Sequence, residues 1–498
     1  MEWFAFGIDP LLIFLDQNLS GILVSSLPVA GPVREGERAP LPPQEERFKA
    51  MAFCDDVKPA ICSIEEFCIA DMGAALFEKA AGTRLHRDPL SNKCKFLPLG
   101  KWRKTLRQED IPTTYMRLTD TLDMVGIQLC STWSNSRRKN GDALQLKITN
   151  LSRSWRSGKF MPLSLRPYSA NTFALSKVWF RTSTVNLRET DFASINSSLK
   201  KWIYADLLLK PEELLLFRPA ESGGLGLVSI KQKATAFLTR TFMEVAANPN
   251  YQSSQYLNSL YRFHILGEDC LCPPQPPYYS ANFFDTIRQA KIEGKDIVGM
   301  STRHWYLYLM EREVLKEVTA EGSQENRLCR IERKYPDYDW VSTWEKARLP
   351  ILSSNVISFL WKLIHDMLTT EERINSTLGN ISASCRYGCE DHPVADQIHC
   401  FFNCSLTCII GQWLLKTVRI FGPISKEDIL KLNVPNNSAL IWTIATSLNF
   451  CWSRRVAQKV ADPTHFQALV DADLMIMKET RHNQLANEIS MLVRQVTF

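Results

Sequence analysis

Met51-Ala52-Phe53-Cys54-Asp55-Asp56-Val57 sets two adjacent carboxylates inside a short apolar run, downstream of a stretch punctuated by Pro28, Pro32, Pro40, Pro42 and Pro43. The pattern predicts a strand, a tight turn and a returning strand, with both acids at the tip. Hard divalent cations take oxygen ligands, so paired Asp side chains on a stiff turn can supply part of a cation cage. Taken alone the dipeptide is a weak signal, since most such pairs are solvated turn residues whose Asp hydrogen-bonds its own backbone. In the returning run, Val57-Lys58-Pro59-Ala60-Ile61, Pro59 removes one ladder hydrogen bond and marks an edge or an early end. Upstream, Leu11, Leu12, Phe14, Leu15 and Leu19 fall near helical spacing, so residues 1–20 read as an amphipathic helix, and 24–50 as a long loop or the distal end of a hairpin. Downstream, a helix is predicted from about Ser63 to Ala81, with Gly82 in the position that favours a left-handed residue.

The order of short motifs around this hairpin is more specific than any one of them. After the acids come Ala81-Gly82-Thr83-Arg84-Leu85, then Asn92-Lys93-Cys94-Lys95-Phe96-Leu97-Pro98-Leu99-Gly100-Lys101-Trp102, then Met124-Val125-Gly126-Ile127-Gln128-Leu129. This order resembles the reverse transcriptase of non-LTR (LINE-type) retrotransposons. Cys54 stands where that family usually has Ala, and Met124-Val125 where it usually has Tyr-Leu at the start of a strand. Arg153-Ser154-Trp155, Leu165-Arg166, Trp202-Ile203-Tyr204 and Gly223-Gly224-Leu225-Gly226-Leu227 resemble the family's thumb. The resemblance implies RNA-directed DNA synthesis by two-metal phosphoryl transfer, with Asp55 and Asp56 as Mg2+ ligands and Lys93 near the departing pyrophosphate. For Lys93 the plain alternative is an exposed strand lysine. The match begins at the first residue, and the family's fingers and first palm Asp have no counterpart; Asp9 and Asp16 lie on the expected helix and do not replace that acid. The expectation is therefore a partial palm that does not polymerise by itself.

Bulk properties bound the alternatives. A chain of 498 residues predicts about three domains with sizeable cores, and 45% hydrophobic with 22% charged residues is ordinary for a folded protein rather than a disordered one. A net charge of +6 permits a polyanionic partner without requiring one. The N-terminus lacks a basic leader, and Ala439 to Trp452 is too short for a membrane span, which favours a buried helix. Fourteen cysteines without a secretory signal predict reduced thiols in an intracellular protein, of nucleus or cytoplasm, and raise the prospect of metal binding.

Residues 100–166 are the most basic stretch. Lys101, Arg103, Lys104, Arg137, Arg138 and Arg166 are candidate phosphate contacts, with Trp102, Trp133 and Trp155 interleaved as candidate stacking platforms for unpaired bases; a solvated face is the alternative. The glycines of 223–226 suit a tight loop against helices, and no flanking strand or Lys-Ser/Thr makes them a phosphate loop. His365, four residues after Trp361 on an apolar helix, reads as a satisfied core histidine. The Pro-rich stretch 266–280 reads as a linker, giving an expected order of partial palm (1–135), helical thumb-like domain (136–265), linker and helical C-terminal region (281–498). The fold class is α+β, with a small palm sheet and helices followed by mainly helical regions.

Cys385, Cys389, His399 and Cys404 give C-x3-C-x9-H-x4-C, two short-range pairs able to close a tetrahedral zinc site. The resemblance points to His399 and Cys404 as the second pair. A regular helix instead aligns Cys400, Cys404 and Cys408, so Cys400 and His392 stand as alternate ligands and buried free thiols as the plain alternative. Zn2+ at 385–404, Mg2+ at the acids, and RNA and DNA as template and primer are the expected partners. A non-catalytic nucleic-acid-binding remnant is the second expectation.

Overall fold

The computed structural model describes residues 11–25 in part, 45–48, 50–53, 56–81, 93–124, 126–155, 161–205, 207–247, 254–267, 281–321, 329–379, 382–480 and 482–496. Two compact units share the chain: Met1–Thr149, Ser176–Asn196 and Ile230–Arg312 form the first, and Asn150–Leu175, Ser197–Ser229 and Glu313–Phe498 the second.

In the first unit the described strands form four separate pairs: β1 (Ile22–Ser25) with β2 (Glu45–Phe48), β3 (Ala50–Phe53) with β4 (Asp56–Pro59), β5 (Lys95–Phe96) with β6 (Arg117–Leu118), and β7 (Thr121–Met124) with β8 (Ile127–Cys130). The β3–β4 register opposes Phe53 to Asp56 in an antiparallel pair, so the strands flanking the acids form a hairpin, and β4 stops at Pro59. β1 and β2 pair antiparallel, Ile22 opposite Phe48 and Ser25 opposite Glu45, and the stretch between them lies outside the described residues. Met124 and Ile127, expected on one strand, instead end β7 and begin β8 and pair with each other, and Gly126 takes φ +78°. Helix α1 (Ile64–Ala81) starts at Ser63, whose Oγ accepts the Glu66 N–H at 3.2 Å. Leu11, Leu15 and Leu19 are buried at four-residue spacing, packed with Ile61, Ile69 and Phe77. This is the apolar stripe that the spacing predicts.

Helix α2 (Trp133–Ser154) fixes β8 with polar side chains: Asn140 accepts the Gln128 N–H at 3.0 Å and donates to its carbonyl at 2.7 Å, while Ser136 Oγ accepts the Cys130 N–H at 2.8 Å. Farther along, Phe242 and Met243 of α3 (Ile230–Ala247) share one core with Phe283, Phe284 and Ile287 of α4 (Ala281–Ile292) and with Trp305 and Tyr308 of α5 (Thr302–Glu321). Packing thus continues across the expected 266–280 boundary. The apolar faces on either side cover each other, something a Pro-rich composition between them does not reveal.

The second unit is helical among its described residues. Asn171 brackets the glycine loop, donating to Gly226 O and accepting the Val228 N–H, each at 2.9 Å. Trp202 Nε1 donates to Trp155 O at 3.0 Å with the rings 4.7 Å apart. Helices α6 (Ser354–Ile364), α7 (Glu371–Leu378), α8 (Cys408–Val418), α9 (Ser438–Val456), α10 (Pro463–Glu479) and α11 (Asn483–Arg494) follow. Side-chain caps start four of them: Ser353, Thr370, Asn437 and Asp462 each accept an N–H of the first turn. Helix α9 is buried along most of its length, which explains the apolar run at 439–452. No described helix is long and apolar enough to cross a membrane.

Candidate metal centre

A loop from Ala383 to Ala395 folds back on itself. Cys385 N–H donates to Pro393 O and Ala395 N–H to Ala383 O, both at 2.8 Å, and the turn is completed by Gly388, Asp391 and His392 at positive φ. The chain then enters a π turn, His399–Asn403, in which Cys404 N–H donates to His399 O at 2.8 Å. Asp396 caps its start by accepting the His399 N–H at 2.6 Å. A hydrogen bond spanning five residues brings His399 and Cys404 onto one face, which an α-turn does not do. Helix α8 closes against this turn where Gly411 meets the Phe401 carbonyl, a spot that a Cβ would fill.

These two segments bring together Cys385, Cys389, His399 and Cys404, one ligand atom of each lying within 4.8 Å of all the others. The sulfurs are 3.6 Å apart for Cys385 and Cys389, and 3.9 Å for Cys404 to either. Zinc–sulfur bonds of about 2.3 Å at tetrahedral angles separate sulfurs by about 3.8 Å, whereas a disulfide needs about 2.05 Å. The spacing therefore fits sulfurs around one ion. Nε2 of His399 is buried without a hydrogen-bond partner, the kind of orphaned nitrogen that a metal satisfies. The cluster can hold a metal such as zinc.

Electrostatics sort the ligands. Burial opposes charge on Cys389, yet hydrogen bonding with Ser405, whose N–H lies 3.4 Å from Sγ, and with the other two cysteines holds its thiol below the ordinary range. Burial raises Cys385 and pushes Cys404 up to about 12. Burial, and then the nearby Arg455, lower His399, so its imidazole is neutral and free to donate a lone pair.

The alternates fall outside the set. Cys400 is fully buried with its thiol 3.7 Å from Ala395 O, and His392 is exposed on the left-handed turn. The sequence reading missed Arg455, whose guanidinium lies 2.7 Å from Glu371 and 4.0 Å from Cys385 Sγ, and Asp396. The Asp396-x-x-His399 spacing is a capping signal visible in the sequence. Arg455 lies 70 residues from Cys385 and has no local signal.

The remaining predicted site residues disperse. Asp55 lies outside the described residues; Asp56 begins β4, and its side chain is likewise outside them. Lys93 is exposed ahead of β5, and Lys101, Arg103, Lys104 and Arg138 are exposed as well. Arg137 is spent on the Asn186 and Leu187 carbonyls, at 2.6 and 3.1 Å. Arg166 corrects the expected phosphate contact: it is 2% exposed, with its guanidinium on the Met161 and Ile203 carbonyls, so no phosphate can reach it. No family model matches the chain, and no curated protein matches it.

Proposed function

We propose that the chain is a reverse-transcriptase-like protein of the non-LTR retrotransposon class, that its helical second unit is organised around a zinc ion on Cys385, Cys389, His399 and Cys404, and that this polypeptide binds RNA or primer-template without copying it. The observation that carries the reading is the closure of the Cys3His set, in a chain that also folds the paired-acid stretch into a hairpin. Thiolate and imidazole ligands select zinc over hard cations, and a closed four-ligand site is structural rather than catalytic. Lys101, Arg103, Lys104 and Arg138 remain as exposed cations for phosphate contact. Synthesis in the resembling family requires a third palm acid beside Asp55 and Asp56, and these 498 residues offer no motif for it.

Two measurements on the purified chain test this. In filter binding, RNA retention should fall steeply between low and physiological salt as counterion release is lost, and retention that is absent or indifferent to salt overturns the binding reading. In primer extension with Mg2+, no template-dependent product is expected; a product abolished by Asp55→Asn would overturn the non-catalytic reading and restore the polymerase.

A further inference from the structure

Arg455, near the C-terminal end of α9, is 3% exposed, and Glu371, the first residue of α7, is 7% exposed. A buried ion pair costs desolvation at both partners and is weak grounds for stability by itself, so its position calls for a reason. The guanidinium is fixed from three sides: 2.7 Å from the Glu371 carboxylate, 4.4 Å over the Tyr387 ring and 4.0 Å from Cys385 Sγ. Arg386 Nε takes the other Glu371 oxygen at 3.1 Å from the solvent side. Glu371 is thereby shared between two cations, which leaves part of Arg455's charge directed at the sulfurs.

That charge has a use only when the thiols are thiolates. A divalent ion on three thiolates and one neutral imidazole has a net charge of −1, and burying an anion without a counter-charge is costly. Resting on the reading of this cluster as a metal centre, we propose that Arg455 is the counter-ion of the metal–thiolate centre, and that Glu371 and Tyr387 are positioning residues that aim it at Cys385. Asp396, a further carboxylate near the site, is engaged with the His399 backbone N–H and adds to the negative charge that Arg455 opposes. Arg suits the task because its planar fork can face a carboxylate and a sulfur at once while its face stacks on an aromatic ring.

The test uses the full chain loaded with Co2+ and, separately, with Zn2+ in competition with a chromogenic chelator. Removing an outer-sphere partner of a metal site typically lowers affinity about 10–100-fold, and that loss is expected for Arg455→Met. Because that variant leaves the buried Glu371 with only the exposed Arg386 as its ionic partner, the double variant Glu371→Gln/Arg455→Met is measured beside it; it removes that half-compensated charge and should show the same loss. Arg455→Lys should recover part of it. A role in charge, as opposed to folding alone, also shifts the thiolate-to-cobalt charge-transfer band to lower energy in both Met variants. If the wild-type chain binds metal and both Met variants bind it within about twofold with an unshifted band, the counter-ion assignment is wrong while the metal centre stands. If the wild-type chain takes up neither metal, the underlying reading fails instead.

Discussion

The Cys404 amide donates to the His399 carbonyl across five residues at 2.8 Å, and this one bond decides which cysteines can share an ion with His399. On an α-helix, side chains five residues apart point about 140° away from each other. The π turn removes that divergence and, in the same stroke, leaves Cys400 turned toward the Ala395 carbonyl. Elemental analysis should accordingly find zinc near one per chain in wild type, Cys400→Ser and Cys408→Ser, and close to none in His399→Ala, Cys385→Ser and Cys404→Ser. Loss of zinc in Cys400→Ser would restore the regular-helix register.

Chelation should destabilise the second unit well beyond the loop. Cys404 O accepts the N–H groups of Thr407 and Cys408 at 2.9 and 2.8 Å, so the ligand segment is the start of α8, and Leu406 O accepts the Ala461 N–H at 2.6 Å. Structural zinc contributes on the order of 10 kcal/mol in small metal-dependent domains; here, with a hydrophobic core on α8 and α9, a smaller loss is expected. Differential scanning fluorimetry with a strong chelator should lower the unfolding temperature, and added Zn2+ should restore it. Mg2+ should not, because it prefers oxygen ligands.

Different parts of this architecture were legible to different degrees. The Leu11, Leu15 and Leu19 stripe, the Phe53–Asp56 hairpin and the stop at Pro59 are local patterns with a local cause, and they appear where spacing places them. The four ligands were legible as residue types, but their register was not, because nothing in the periodicity of His399-Cys400-Phe401-Phe402-Asn403-Cys404 announces a π turn. Arg166 illustrates the opposite failure. A basic residue in a basic stretch reads as a surface charge, yet two backbone carbonyls that accept from its guanidinium hold it inside. The shared core of Phe242 and Phe283 was hidden because composition shows where a linker lies and not which faces meet across it.

Gly223 should tolerate no side chain. It holds φ +83°, and a Cβ there would overlap the Trp344 indole. Its carbonyl also receives two donors, Trp361 Nε1 at 2.8 Å and His365 Nε2 at 2.9 Å. Gly223→Ala combines left-handed strain of about 1 kcal/mol with displacement of a packed ring, so a loss of roughly 3 kcal/mol or more is expected. Gly226, at φ +72° with only Ala220 near its Cβ direction, should cost roughly the strain alone when changed to Ala. Urea unfolding of the two variants measures the difference; equal losses would mean that the indole contact is of no consequence.

His365 should make the second unit acid-sensitive. Its ring stacks 4.7 Å from Trp344 and lies 4.6 Å from Trp361, and since a carbonyl can only accept, Nε2 carries the proton that bonds Gly223. Burial between the indoles disfavours the imidazolium and lowers the group from 6.5 to about 4, against a smaller opposing effect of the Gly223 hydrogen bond. The unfolded chain therefore binds this proton first as pH falls. Stability is fully present above about 6.5, declines between 6.5 and 4, and levels off below, a total on the order of 3 kcal/mol. His365→Gln can keep a donor toward Gly223 without titrating. Hydrogen exchange of the α6 amides, converted to opening free energies at pH 7.5 and pH 4.5, should fall by that amount more in wild type than in the variant. Parallel declines in the two proteins would show that the histidine takes up its proton in place, and that other groups set the acid response.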